Sequence, residues 1–215
     1  MWLYHRFCLS FRDVEELLAE RGVTVSYEAV RRWCLKFGQA FANKLRHRRG
    51  RLGDTGHLDE RFVTIRGQRH YLGRAVDQEG EVVDSLVQKH RDQRAAKRFF
   101  RKLVKGLHYG PRLSVPDKVG SYGGACRELL PRVVHRQARR SNNRAEVSRQ
   151  PTRQRERQRR CFKSPRQAQQ FFSAHGPINN LFRCGRHRMR AVHYRVFREQ
   201  AFASWRTVAE LPQAA

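Results

Sequence analysis

Acidic residues are scarce in this chain. Its 215 residues carry 19 Asp and Glu against 46 Lys and Arg, a formal net charge of +27 and a pI near 11.4. Such an imbalance points to a polyanionic partner, because Lys and Arg release the counterions condensed on phosphates. Long apolar runs are missing too. No stretch approaches the roughly 20 apolar residues of a spanning helix, which argues against a membrane partner. The opening MWLYHRFCLSFRD is too short in its apolar part, and too soon charged, for a secretory signal. The five cysteines (Cys8, Cys34, Cys126, Cys161 and Cys184) are scattered, odd in number and free of any C-x-x-C pair. That excludes a disulfide framework and suits a reducing cytoplasm. Cys184 and His187 are close in sequence, but no second ligand pair accompanies them, so zinc is not expected. There is no internal repeat and no ribonucleoprotein aromatic signature that would favour an RNA-binding module. What is present is foldable: 39% hydrophobic and 30% charged residues, enough for one sizeable core and a small accessory domain.

Residues 10–37 predict two short helices joined by a tight connection. Ser10 caps the first with Asp13 three residues on, as in a capping box. Phe11, Val14, Leu17 and Leu18 line one face, and Gly22 ends it. Ser26 caps the second, whose apolar face is Val30, Trp33, Cys34 and Phe37, with Arg31, Arg32 and Lys36 opposite. This is the pattern of a helix-turn-helix whose second helix enters a major groove. These residues alone do not separate it from an ordinary helical hairpin with a solvated basic face; the global charge favours DNA. Trp33 is read as core, and Tyr122 and Trp205 as packing residues before base-stacking ones.

KLRHRRGRLGDTG (44–56) is a basic, glycine-containing break and marks a domain boundary. Three strand-like runs follow: LDERFVTI into the turn RGQ, RHYLGRAVD closed by QEGE, then VVDSLVQKH, an antiparallel meander. DQRAAKRFFRKLVKGL is a helix with Ala95, Phe99, Leu103 and Leu107 on one face. RLSVPD and RVVHRQ are short strands around the helical SYGGACRELL. From Asn142 the chain is helical and very basic, and Pro151 interrupts it. Ser164-Pro165 starts a further helix as cap and first residue, and YRVFREQAFASWRTVAEL is the last. The order predicts an α/β protein, a mixed sheet flanked by helices.

Within this fold the scarce acids acquire a purpose. Asp59 lies on the first strand, Asp117 at the end of a later strand and Glu146 in the first turns of a helix after the last strand. Taken singly, Asp59 reads as a strand-end acid paired with an arginine, Asp117 as a turn former and Glu146 as an acid favoured by a helix dipole. The three in this order favour a metal site. Sites in open sheets form at strand ends. Oxygen ligands select hard divalent cations, and Mg²⁺ suits best because it binds through few carboxylates plus water and phosphate. Two ions about 3.5–4 Å apart stabilise the attacking and leaving oxygens of an in-line phosphoryl displacement. Glu60, adjacent to Asp59, points to the opposite face and reads as structural. Asp77, Asp84 and Asp92 sit at turns or strand exits and are assigned no chemistry.

At this point the sequence resembles a family. LSFRDVEELLAERGVTVSYEAVRRW, LDERFVTIRGQRHYLGRAVDQEGEVVD, PDKVGSYGGA and HRQARRSNNRAEVSRQPTRQRERQRRCFKS together resemble bacterial insertion-sequence transposases of the Asp-Asp-Glu superfamily, in the branch called insertion-sequence family six. The resemblance implies a ribonuclease H-like, retroviral-integrase-like catalytic domain at 57–163. It further implies a helix-turn-helix at 1–47, shortened at its N-terminus, a linker at 48–56 and a basic helical C-terminal region at 164–215. By it, Asp59, Asp117 and Glu146 match the metal-binding catalytic triad. Arg153 matches the basic residue seven positions after the Glu, and Lys118 the one following the second acid. Arg31, Arg32, Lys36, Lys118, Arg153 and Arg157 are then the DNA-contacting candidates. The sequence departs from relatives at Pro116, Val147, Arg149 and Gly73, where they commonly carry Thr, Asn, His and a bulky aromatic. The activity implied is cleavage of transposon ends and joining of the 3′-hydroxyl to target DNA. It would use two Mg²⁺, with Mn²⁺ able to substitute, on terminal inverted repeats and target duplex, in a bacterial cytoplasm near the nucleoid. Two ends joined to one target imply a homo-oligomer. The alternative is a catalytically inactive DNA-binding protein or regulator derived from a transposase.

Overall fold

The structure, a computed structural model, describes residues 1–49, 55–107, 113–115, 125, 128–129, 134–135, 153–155, 162–183 and 189–210. Its elements are α1 (Trp2–Arg6), α2 (Phe11–Ala19), α3 (Tyr27–Arg48), β1 (Thr55–Ile65), β2 (Gln68–Asp77), β3 (Val82–Gln88), α4 (Gln93–Leu107), β4 (Leu113–Val115), β5 (Val134–His135), α5 (Pro165–Leu181) and α6 (Ala191–Val208). The chain divides into two compact units: Met1–Arg49 with Pro177–Ala215, and Gly50–Gly176. Among the described residues, no helix is long and apolar enough to cross a membrane.

In the unit 50–176 the sheet is mixed, with strand order β3-β2-β1-β4-β5. β1, β2 and β3 form the expected antiparallel meander, while β4 runs parallel to β1 and β5 parallel to β4. The first hairpin turns on two residues, Arg66 and Gly67, with φ of 50° and 76°. Both lie in the left-handed region, and turns of that kind match the twist of the flanking strands. The turn is therefore one residue shorter than the RGQ read from sequence. Asp77 organises the second turn: its Oδ1 accepts from the backbone N–H of Glu79 and of Glu81 at 3.0 and 2.9 Å.

α4 covers one face of the meander. Asp92 caps it by accepting from the Ala95 N–H at 2.6 Å, and Ala96, Phe99, Phe100 and Leu103 pack with Leu58, Ala75 and Val83. The burial of this face is what fixes the register, since a one-residue slip would turn every strand side chain to the other side. Ser164 caps α5 as expected, accepting from the Gln167 N–H at 3.1 Å, and Phe171 and Phe172 are buried with Phe162. Gly176 approaches β3 closely, so a Cβ there would meet Val82 at 3.1 Å. The helix continues through Pro177 to Leu181.

In the unit 1–49 with 177–215, the capping box at the start of α2 is present: Asp13 N–H donates to Ser10 Oγ and Ser10 N–H to the Asp13 carboxylate. Gly22, at φ 74°, closes α2. There the Val23 N–H reaches back to Leu18 O and the Gly22 N–H to Ala19 O, both at 2.9 Å, the αL ending that glycine permits. The connection then runs extended to Ser26, longer than the tight turn expected. α3 runs to Arg48, well past residue 37, because Lys and Arg are good helix formers and charge alone does not stop a helix. Its buried line is Val30, Gly38 and Ala42, with Cys34 half-buried. Trp33, read from sequence as core, is 41% exposed, because it lies off this four-residue stripe. Trp205 of α6 meets Phe41 of α3 edge to face at 5.6 Å. Trp2, Phe182 and Phe202 continue the same aromatic cluster.

Candidate functional site

Asp59 sits in the body of β1, where alternation sends it to the face opposite Leu58. It is 1% exposed, and Arg74, directly across on β2, is 2% exposed. Both Arg74 Nε and Nη2 donate to Asp59 Oδ2, at 3.1 and 2.8 Å. A buried carboxylate is costly unless a cation and hydrogen bonds accompany it, and the register of the hairpin supplies both from a single side chain. The arginine pairing weighed for Asp59 on sequence is thus present, and its partner Arg74 was not singled out. Glu60 goes the other way: its carboxylate meets Arg91 Nε at 2.6 Å, the structural role expected of it. The two adjacent acids therefore serve two faces of one strand, each matched to an arginine.

β4 runs alongside the start of β1. Thr55, Gly56 and His57 pair in parallel with Leu113, Ser114 and Val115, so the strand that leads in sequence to Asp117 ends beside His57, two residues from Asp59. Asp117, Lys118, Glu146 and Arg157 lie outside the described residues. Arg153 is helical and exposed. Arg155, two positions on in the same basic segment, is buried and lies over the Phe171 ring at 5.8 Å. The buried aromatic pair of α5 was the signal available for it. Among the described residues, no group of three His, Cys, Asp or Glu is placed to hold a metal ion. Of the three acids read as ligands, Asp59 alone is among the described residues, and its carboxylate is a hard oxygen donor of the type Mg²⁺ and Mn²⁺ take.

The basic face of α3 is exposed as expected, but it is not a set of bare charges. Glu28 accepts from Arg31 Nε and Nη2 at 2.7 and 2.6 Å, and from Arg32 Nε at 3.4 Å. The hydrogen bond from Arg31 holds the Glu28 carboxyl down at about 2, and raises the Arg31 guanidinium in turn. Lys36 lies over Phe37 at 5.2 Å, and Arg12 of α2 over Tyr27 at 5.2 Å. Exposed rings and cations thus share this surface. Asp84 and Asp92, given no chemistry on sequence, bond Lys102 and the start of α4 respectively.

Over residues 53–185 the sequence matches the family model of the DDE domain of IS240-type transposases. The chain belongs to the DDE transposases of insertion sequences, in insertion-sequence family six. It is 34% identical over 128 residues to the transposase for insertion sequence-like element IS431mec of Staphylococcus aureus (strain N315), covering 59% of this chain and 56% of that protein. It is 33% identical over 128 residues to the transposase for insertion sequence element IS257 in transposon Tn4003 of Staphylococcus aureus, with the same 59% and 56% covered. The chain thus matches little more than half the length of these relatives. Among solved structures, the catalytic domain of Mos1 mariner transposase is similar at 13% identity and a TM-score of 0.42, over 82% of this chain and 92% of that one. The simian T-cell lymphotropic virus intasome in complex with a PP2A regulatory subunit is similar at 18% identity and a TM-score of 0.39, over 49% of this chain and 39% of that one.

Proposed function

We propose that this chain is a DNA transposase in which the sheet unit is a ribonuclease H-like catalytic domain and α2–α3 form a helix-turn-helix for the element's terminal inverted repeats. The observation that carries the reading is the position of Asp59: an acid buried in the first strand of a mixed sheet, beside the parallel strand that leads to Asp117.

Asp59, Asp117 and Glu146 are the proposed ligands of two Mg²⁺ or Mn²⁺ ions. When bound, the ions stabilise charge on the attacking and leaving oxygens of an in-line displacement. Lys118, Arg153 and Arg157 contact phosphate, and Arg31, Arg32 and Lys36 dock the second helix on duplex. In the first step water adds to phosphorus at the transposon end and the 3′-oxygen leaves as a hydroxyl. In the second that hydroxyl attacks a target phosphodiester and displaces the target's own 3′-oxygen, which departs with a proton. Positioning by the protein is the main contribution in reactions of this kind, since little covalent chemistry falls to side chains. Joining two ends to one target calls for a homo-oligomer, working in the bacterial cytoplasm.

Strand cleavage and strand transfer on labelled duplex carrying the element's own terminal repeat test this reading, with Mg²⁺ or Mn²⁺ and with Asp59→Asn and Asp117→Asn. Metal-dependent nicking lost in both variants is the expected result. Duplex binding without cleavage in any of the three proteins would instead mean a DNA-binding regulator derived from a transposase.

A further inference from the structure

Among the described residues, Arg74 is the fully buried cation whose contacts place it on a proposed metal ligand. Its Nε and Nη2 both lie on Asp59 Oδ2, at 3.1 and 2.8 Å, with both residues essentially inaccessible to solvent. The contact is built into the fold, since Asp59 and Arg74 are directly paired across the β1–β2 hairpin and cross-strand partners on one face stand closest. From this geometry we infer that Arg74 is an internal stand-in for the divalent ion: it neutralises Asp59 in the metal-free chain, and it must withdraw from Oδ2 for a divalent ion to be held there. The inference rests on the proposed role of Asp59 as a metal ligand and goes beyond it, because it assigns Arg74 a competing position.

The physical argument is one of charge. A carboxylate taken out of water needs a compensating cation at all times. Without metal, Arg74 is the buried cation seen on Asp59, so removing it should weaken the metal-free fold. A guanidinium beside a carboxylate also competes for its charge with any other cation that would bind there. Two donors on Oδ2 occupy the lone pairs that oxygen would offer a metal. Arg74 is thus a positioning residue whose presence stabilises the metal-free fold and weakens metal binding. A residue that merely packed the sheet would do the first and leave the second unchanged.

The test compares Mn²⁺ binding to the full chain, Arg74→Met and Arg74→Lys by electron paramagnetic resonance, with Asp59→Asn as the control that identifies the ion at this site. Melting temperatures are measured beside it in chelator and in excess Mn²⁺. Arg74→Met is expected to bind Mn²⁺ about tenfold more tightly or better, by the charge argument above. It should melt below the parent in chelator and recover most of that difference in Mn²⁺, with Arg74→Lys between the two. In the unaltered protein, the Arg74 Nε–H resonance, assigned through Arg74→Lys, is expected to move and exchange faster with solvent as Mg²⁺ is added. That measurement decides the matter even if Arg74→Met does not fold. Unchanged or weaker Mn²⁺ binding by Arg74→Met, or an Nε–H resonance unmoved at saturating Mg²⁺, overturns the inference while leaving the metal site standing. A parent chain whose Mn²⁺ binding is absent, or indifferent to Asp59→Asn, overturns the metal-site reading itself and this inference with it.

Discussion

Gln169 and Val87 are joined by a hydrogen bond that closes the edge of the sheet. The Val87 N–H on β3 donates to Gln169 Oε1 at 2.8 Å, while Gln169 Nε2 donates to the Ser85 carbonyl at 3.0 Å. One side-chain amide from α5 thereby takes the place of a neighbouring strand. Exposed strand edges invite pairing with other chains, so this amide has two jobs. Gln169→Ala is expected to lower stability by about 1–3 kcal/mol, the cost of leaving part-buried backbone groups without partners. Urea denaturation measures the first effect. Light scattering at rising concentration should show the variant associating beyond the parent's own assembly. Gln169→Glu, which keeps the acceptor and loses the donor, should fall between them.

Glu28 sets the charge presented by α3. Its carboxyl lies at about 2, below the usual 4.5, chiefly through the hydrogen bond from Arg31. A carboxyl lowered in the folded state stabilises the fold above its unfolded value, and that contribution fades as pH drops toward the folded value. The pair's contribution to stability should therefore be full well above pH 4.5, decline as pH falls below it and be lost only below about 2, where the folded carboxyl itself takes up its proton. A carbon-detected titration of the Glu28 carboxyl should place its midpoint near 2 at low salt. Because the pair is solvent-exposed, molar salt should carry the midpoint back toward the ordinary value. Under the helix-turn-helix reading, Glu28→Gln releases Arg31 and Arg32 for phosphate. Duplex affinity should rise, and the log–log salt slope should steepen by up to about 0.9 for each additional phosphate neutralised.

Much of the meander was legible because its signals are local: alternating β-branched runs, QEGE at one turn and a glycine at the other. The site was legible only in part, and the reason lies in one residue of turn length. With a two-residue turn at 66–67, Ile65 pairs with Gln68 and, six steps back, Asp59 with Arg74. Read as the three-residue turn RGQ, the same strands set Asp59 across from position 75, and Arg74 moves to the other face. The partner of the first acid was therefore hidden by a backbone choice that depends on Arg66 adopting a left-handed conformation, which non-glycine residues seldom do. The length of α3 was hidden differently. Arg46, His47 and Arg48 fell in a stretch read as a basic break, yet they continue a helix whose buried line of Val30, Gly38 and Ala42 has small residues that a search for large apolar ones passes over.

Phe99 is expected to be the most sensitive position of the sheet unit. It is fully buried on α4 and packs with Leu58 and Ala75 of the first two strands, so it joins helix to sheet. Phe99→Ala should cost about 3–5 kcal/mol, the loss of a buried aromatic plus the cavity it leaves. Phe99→Leu should cost much less because most of the volume is kept. Denaturant midpoints with unchanged slopes would show that stability alone has moved.

The two tryptophans of the helical unit should behave in opposite ways, although both belong to amphipathic helices. Trp33 is 41% exposed on α3, whereas Trp205 is 6% exposed on α6 and meets both Phe41 and Phe182. Trp33→Ala should change stability by no more than about 0.5 kcal/mol, as surface substitutions do. Under the helix-turn-helix reading it should nonetheless weaken duplex binding, because the ring stands beside Arg32 and Lys36 on the exposed side of α3. Trp205→Ala should cost about 3–5 kcal/mol through the cavity it opens. The aromatic cluster draws α1, α3 and α6 into one unit, so that loss should spread to the N-terminal helices. Limited proteolysis is the measurement that separates the cases. New cuts between residues 10 and 48 in Trp205→Ala, and none in Trp33→Ala, are expected; protection of that segment in both would show that the N-terminal helices stand without α6.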